Sequence, residues 1–339
     1  FISCGTKNKE YANNVFPYSQ FPQEKELKGE VIELDTALFR YPFRIRIEGD
    51  KAIVLDLHGS DYYGHLFQYP SFRYLSSFGR RGDSPLEMLS MDNFRLHNHT
   101  LWNLDANKSE LTRLEFSSSG DSLLREETVA LDEDILRPLD FAIYNDTTFV
   151  IPDYSGESRF LKVDCKGKLI EKIGTIPTTN KKALQEARPA LAQAWRSFLD
   201  YNSHNSVLAT VTQLGEVVEI YNLKDSTHVI RVGEYDEPEF KVSDGYGIPT
   251  GIMGFSDVQV TDDAIYAVFH GTSFKDIARQ SGRLSDGGKY IYVFSLKGEP
   301  LCKYVLDHYI YGIWVDEVTK TIMATDVNND QPILKFSFG

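Results

Sequence analysis

From residue 31 onward, short runs of apolar, β-branched and aromatic residues alternate with polar turn signals, the pattern of many short strands. The runs recur as a set. Similar strand starts fall at Phe43, Phe94, Phe141, Phe198, Phe255 and Ile313, 47 to 58 residues apart. Each is followed by a second run (53–57, 101–104, 148–151, 207–211, 265–269, 321–325) and a third (65–69, 111–116, 159–163, 217–221, 290–294, 333–338). A fourth run follows in all repeats but the last, at 74–78, 124–129, 169–173, 228–232 and 301–305. Four-stranded units of about 40 to 60 residues predict the blades of a β-propeller. The segment 30–34 is strand-like and has no repeat of its own. Placed beside 333–338 it completes the sixth blade and removes an exposed edge. The expected fold is all-β: one six-bladed β-propeller domain over 30–339, built of four-stranded antiparallel blades and closed by an N-terminal strand in the last blade.

One stretch has a helical period. Leu184, Ala187, Leu191, Ala194 and Phe198 form a one-sided stripe in the 175–196 insertion between blades 3 and 4, and Pro189 predicts a break within it. A second short helix is predicted near 274–279. Strands in a blade alternate in direction, so second-to-third-strand connections and blade-to-blade links share one face. The long insertions 175–196, 234–254 and 271–289 all lie on that face, while turns such as Gly49-Asp50, Lys166-Gly167 and Lys297-Gly298 keep the other face short. Irregular loops on a rigid scaffold are where binding residues sit, which points to the loop-rich face over blades 3–5.

Composition narrows the partners. The 339 residues carry 36 basic and 49 acidic side chains, a net charge of -13 that disfavours a nucleic-acid partner. No apolar run approaches the roughly 20 residues that a membrane helix needs. Residues 6–29 are polar, include Pro17 and Pro22 and show no period, which predicts a flexible tether that fills 1–29 together with the five residues ahead of it. Before it, Phe1-Ile2-Ser3-Cys4-Gly5 resembles the end of a bacterial lipoprotein signal, which implies lipidation of Cys4 and attachment to a membrane through that lipid alone.

The residues just before each innermost strand should ring the mouth of the central channel: Arg40, Tyr41, Asp92, Asn93, Asp140, Trp195, Arg196, Tyr309 and Tyr311. Arginines, carboxylates and aromatics together would suit a ligand with anionic and flat apolar parts. Asp56, Asp105, Asp153 and Asp326 end second strands, where an Asp accepts backbone N–H groups and fixes the turn. Asp326, Asn328 and Asp330 begin like a calcium loop, which then fails at Gln331, where glycine is needed. No G-x-S-x-G, H-E-x-x-H or P-loop is present.

Val54-Leu55-Asp56, Asn103-Leu104-Asp105, Ile151-Pro152-Asp153 and Ala324-Thr325-Asp326, with the linker Gly79-Arg80-Arg81-Gly82-Asp83-Ser84-Pro85, resemble the NHL-type repeat of six-bladed propellers. Thr212 and His270 stand at the equivalent place in blades 4 and 5 and depart from it. With the lipobox-like start, the chain is similar to the TolB-like propeller lipoproteins of Bacteroides-type bacteria. That resemblance implies a lipid-anchored protein of the bacterial envelope, periplasmic or surface-facing. The function expected is non-catalytic binding of a protein, peptide or glycan by a monomer without cofactor. The alternative is a metal-dependent hydrolase of the lactonase and gluconolactonase kind, holding a divalent cation in the channel, for which Asp92, Asn93, Asp140 and Asp257 are the available donors. A metal with an open coordination position would favour the enzyme; a channel filled by Arg–Asp pairs would favour the binder.

Overall fold

The computed structural model describes residues 12–35, 39–280 and 284–339, and Cys4 lies outside them. Six sheets form the six blades, each ordered from the channel outward. Blade 1 comprises Pro42–Glu48, Lys51–Asp56, Tyr62–Gln68 and Arg73–Arg80, and blade 2 comprises Asn93–His97, Thr100–Asp105, Glu110–Phe116 and Leu123–Ala130. Blade 3 comprises Ala142–Asn145, Thr148–Pro152, Phe160–Asp164 and Leu169–Ile173. Blade 4 follows with Ser197–Asn202, Val207–Thr212, Val217–Asn222 and Thr227–Val232, and blade 5 with Phe255–Val260, Ala264–Phe269, Gly288–Ser295 and Pro300–Ile310. Blade 6 has Ile313–Asp316, Thr321–Thr325 and Ile333–Ser337, closed by Glu30–Ile32 in antiparallel register with Leu334 opposite Val31.

Burial explains why the repeats were legible. A second strand lies between the faces of both neighbouring blades, so both its sides are covered. Thr148–Pro152, Val207–Thr212, Ala264–Phe269 and Thr321–Thr325 are buried along their whole length and read as apolar runs broken only by threonine. Outer strands such as Leu123–Ala130 keep only Leu123 and Val129 buried. The blades pack face to face. Ile45, Ile47, Val54 and Phe67 of blade 1 meet Met323 and Ile333 of blade 6, and Phe141, Phe149 and Leu161 of blade 3 meet Leu104 and Leu111 of blade 2.

The tether expectation is corrected over 12–29. Val15–Pro17 adds to the outside of blade 4 and Gln23–Leu27 to the outside of blade 5, both in parallel register. With Glu30–Ile32 they form a belt that runs around blades 4, 5 and 6 in turn. Polarity misled because an outermost strand faces solvent: in Gln23–Leu27 only Leu27 is buried. The signal present was aromatic. Tyr18 and Phe21 pack edge-on to Phe294, and the Tyr18 hydroxyl donates to Glu216 Oε1 at 2.9 Å.

The blade 3–4 insertion forms two helices, α1 (Lys181–Glu186) and α2 (Arg188–Ala194). Asn180 caps α1 by accepting Ala183 N–H, and Pro189 lies in the first turn of α2, where its missing N–H costs nothing. Ala183, Leu191, Ala194 and Trp195 lie flat on Val217, Ile230 and Val232 of blade 4. A third helix, α3 (Phe274–Arg279), stands where the 274–279 pattern placed it. The glycine-containing stretch before blade 5 is more ordered than a loop: Phe240–Ser243 and Tyr246–Pro249 form a hairpin. Asp244 and Gly245 at its tip both have positive φ, the requirement of a tight two-residue turn.

Candidate functional site

The channel is lined by the innermost strands, whose alternation of apolar and charged residues looks at first like a solvent-exposed pattern. In Pro42–Glu48, Phe43, Ile45 and Ile47 face the neighbouring sheets while Arg44 and Arg46 point the other way, into the channel. Asp257 of blade 5 receives them. Arg46 binds it through two bonds of 2.9 and 3.0 Å, and Arg44 Nε lies 3.4 Å away. A second pair joins Arg95 of blade 2 to Asp140 at 2.6 Å, with Asn93 donating to the same oxygen at 2.7 Å. The carboxylates also clamp one blade to the next. Asp140 accepts the Leu199 N–H of blade 4, Asp200 the Val260 N–H of blade 5, and Asp257 the Ile313 N–H of blade 6.

These groups are out of water, which sets their protonation. Burial lowers Arg44 to about 10 against the pull of Asp257, and burial raises Asp140 despite Arg95. Burial would raise Asp257 too, but Arg44 and Arg46 hold it below its usual value. A third buried pair, Arg159–Glu219 at 2.6 Å, lies between blades 3 and 4, where Arg159, His228 and Tyr221 overcome burial and hold Glu219 at about 2.

The expected mouth residues divide. Asn93 and Asp140 meet in the Arg95 cluster. Tyr41 and Tyr311 meet edge-on at 5.6 Å, with His270 edge-on to Tyr311 at 5.4 Å and Asp286 accepting from the Tyr41 hydroxyl. The others do not join them. Asp92 turns aside to accept Ser90 Oγ–H and Ala106 N–H, and the Arg40 side chain is exposed. Trp195 is buried beneath the helices, and Arg196 lies over the Tyr154 ring. Tyr309 belongs to the outer strand of blade 5, under Lys289. Arg44, Arg46, Arg95, Asp200 and the pairing role of Asp257 were missed, although charges at every second position of an otherwise apolar strand were their signal.

The strand-ending aspartates behave as turn-fixers. Asp56 accepts Arg40, Tyr41 and His58 N–H, Asp105 accepts Leu89, Asn107 and Lys108 N–H, and Asp153 accepts Ser155 and Ser158 N–H. Asp326 accepts from Asn328, whose amide reaches away to bond the Asp286 backbone. The channel donors offered for a divalent cation, Asp92, Asn93, Asp140 and Asp257, are engaged by protein groups, and among the described residues no group of three or more His, Cys, Asp or Glu is arranged to hold a metal ion.

The loop-rich face presents a different surface. The hairpin rests on α2 through a 2.9 Å bond from Gly247 N–H to Gln193 Oε1 and leaves Val242, Tyr246 and Ile248 at 51, 62 and 43% exposure. Between α1 and Phe240 and Val242 of the hairpin is a groove of about 380 Å³.

Comparison with known proteins agrees with this architecture. No curated protein is significantly similar to the chain. A Bacteroides vulgatus structure from the DUF4221 family superposes with TM-score 0.62 at 11% identity, over 93% of this chain and 98% of that one. A Bacteroides fragilis structure described as an exported protein gives 0.58 at 12% identity, over 95% and 98%. An auxiliary nutrient binding protein from Bacteroides ovatus gives 0.55 at 10% identity, over 88% of this chain and 70% of that one. At such identities these likenesses concern the fold alone. The family model of TolB-like 6-blade propeller-like proteins matches residues 20–318, and the chain belongs to that family.

Proposed function

We propose that this propeller is a non-catalytic binding protein of the bacterial envelope, anchored by a lipid on Cys4 and periplasmic or surface-facing, that takes a protein or peptide on its loop-rich face over blades 3–5. The observation that carries this is the hairpin. Exposed apolar side chains on a turn-braced, helix-supported element form a preorganised docking surface, so little conformational entropy is lost on binding. Exposed Val242, Tyr246 and Ile248 favour a polypeptide over a glycan, because aromatic and aliphatic anchors are what protein interfaces bury. Tyr235, Ile277 and Leu284, also exposed, belong to connections on the same face. A protein that the fold resembles is described as an auxiliary nutrient binding protein, consistent with a binding role. The hydrolase alternative loses its support in the channel, where Arg–Asp pairs occupy the carboxylates a cation would need.

Peptides selected by display on the wild-type protein should bind Tyr246→Ser/Ile248→Ser at least tenfold more weakly, measured by titration calorimetry, with the melting temperature unchanged. Equal affinity for both proteins, or a response to a glycan array and to no peptide, would overturn the reading. The anchor is tested separately: the full chain expressed in a bacterium should incorporate labelled palmitate, and Cys4→Ser should not.

A further inference from the structure

The opposite face, dismissed by its short turns, holds a cavity of about 500 Å³. It is built by the far ends of the innermost strands of blades 2 to 6, so the channel is open at that face. Five carboxylates line it: Asp200 at the strand wall, Asp262 and Asp263 on the blade 5 turn, and Asp316 and Glu317 on the blade 6 turn. Arg95 is the lining residue of opposite charge, and its guanidinium is committed to Asp140, Phe94 O and Leu199 O. The lining therefore carries unbalanced negative charge. Two histidines stand at the rim, each beside a carboxylate: His97 Nε2 is 2.8 Å from Asp146, and His204 Nδ1 is 3.1 Å from Asp262.

Three features separate this from an acidic turn cluster. It is a concave space large enough for a small molecule. Its acids stand on separate blades around apolar wall, with Tyr201 and Trp314 among the lining. Two of the acids are also shifted by their surroundings: burial raises Asp200 against the pull of Arg95 and Arg46, and burial together with adjacent Asp263 raises Glu317. Asp200 uses one oxygen for the Val260 N–H, while its second accepts no hydrogen bond among the described residues. A cation in this space would offset the burial of Asp200 and the repulsion between Asp263 and Glu317, and the aromatic walls would cover an apolar stem. Among the described residues no three His, Cys, Asp or Glu ligands converge in the manner of a metal site. Charges dispersed around apolar wall match ammonium groups dispersed along a methylene chain.

We propose that this mouth binds a small organic polycation, a di- or polyamine, with its ammonium groups at the carboxylates of blades 4, 5 and 6 and its methylene chain along Tyr201 and Trp314. The site is independent of the peptide surface on the other face.

The test is titration calorimetry of the full chain with spermidine at physiological salt, because a net charge of -13 attracts any polycation at low salt. Asp200→Asn/Asp316→Asn removes two charges from the cavity while keeping acceptors for Val260 and Val318 N–H. Glu126→Gln/Glu133→Gln removes two exposed charges elsewhere and serves as the charge-matched control. Spermidine should bind the wild type and the control alike, and the cavity variant at least tenfold more weakly; 1,6-hexanediol should not bind. Should the cavity variant misfold, Asp262→Asn/Asp263→Asn on the exposed turn makes the same comparison. No heat with millimolar spermidine, equal weakening in both double variants, or calcium binding with the same dependence on the cavity acids would overturn the assignment.

Discussion

Replacing Asp257 with alanine should destabilise the propeller by about 3–5 kcal/mol, the usual effect of leaving buried charge without its partner. Asp257 holds Arg46 through two bonds and Arg44 through a longer contact, and accepts the backbone N–H of Val258 and Ile313. Arg44 is fully buried, so the stranded guanidinium cannot turn to water. Urea unfolding followed by tryptophan fluorescence would read this as a lower midpoint at unchanged slope. Asp257→Asn keeps an acceptor and should lose less. The triple change Asp257→Leu with Arg44→Met and Arg46→Met should recover much of the loss, because it removes the charges together. A loss below about 1 kcal/mol for Asp257→Ala would mean that the arginines are satisfied without it.

Acid should unfold the protein in two stages. Burial lowers His65 and His270 to about 4 from an ordinary 6.5, with Arg44 adding to the effect at His270. Between pH 6.5 and 4 the unfolded chain takes up protons at both imidazoles that the folded chain refuses, so stability falls as pH falls, by at most about 3 kcal/mol for each histidine. Glu219 has the opposite chemistry and the same direction. Its folded value of about 2 lies below the ordinary 4.5, so its contribution is complete above pH 4.5 and is lost as pH falls through 2. Melting temperatures measured from pH 7.5 to 3 should decline first over the histidine window. His270→Phe should flatten that first stage by about half, as one of two groups, while leaving the Glu219 stage in place. An unchanged first stage in that variant would remove His270 from the account.

The parts of the fold that were legible share a physical cause. Second strands such as Ala264–Phe269 are covered on both sides by neighbouring blades, so their apolar runs announce the repeat. Glu30–Ile32 was found because blade 6 lacked a strand, an argument from topology rather than from a local signal. The belt strands were lost because solvent covers one side of an outermost strand and composition there is free to be polar. Arg44 and Arg46 were visible as an alternation, but an alternating strand usually has water on its charged side, and only a closed ring turns that side inward. Trp195 and Tyr309 were placed by counting back from strand starts, which fixes the backbone position and not the direction of the side chain. The Asp244-Gly245 pair carried the hairpin signal, which was lost within an insertion read as an irregular loop.

The belt also sets an order in time. Val15 lies beside Ile230, Gln23 beside Cys302, and Glu30 beside Lys335, so segments near the start of the chain wait for partners near its end. During synthesis they emerge early and have nothing to pair with until blades 4, 5 and 6 exist, and contacts so distant along a chain form slowly. Exposed strands in that interval invite pairing with the wrong chain, and the alternating charges of Glu24, Lys25 and Glu26 discourage it. A ribosome that stopped before residue 333 would release a ring that cannot shut, with Glu30–Ile32 left without its neighbour. Closure of the seam thus reports that translation has reached the final blade.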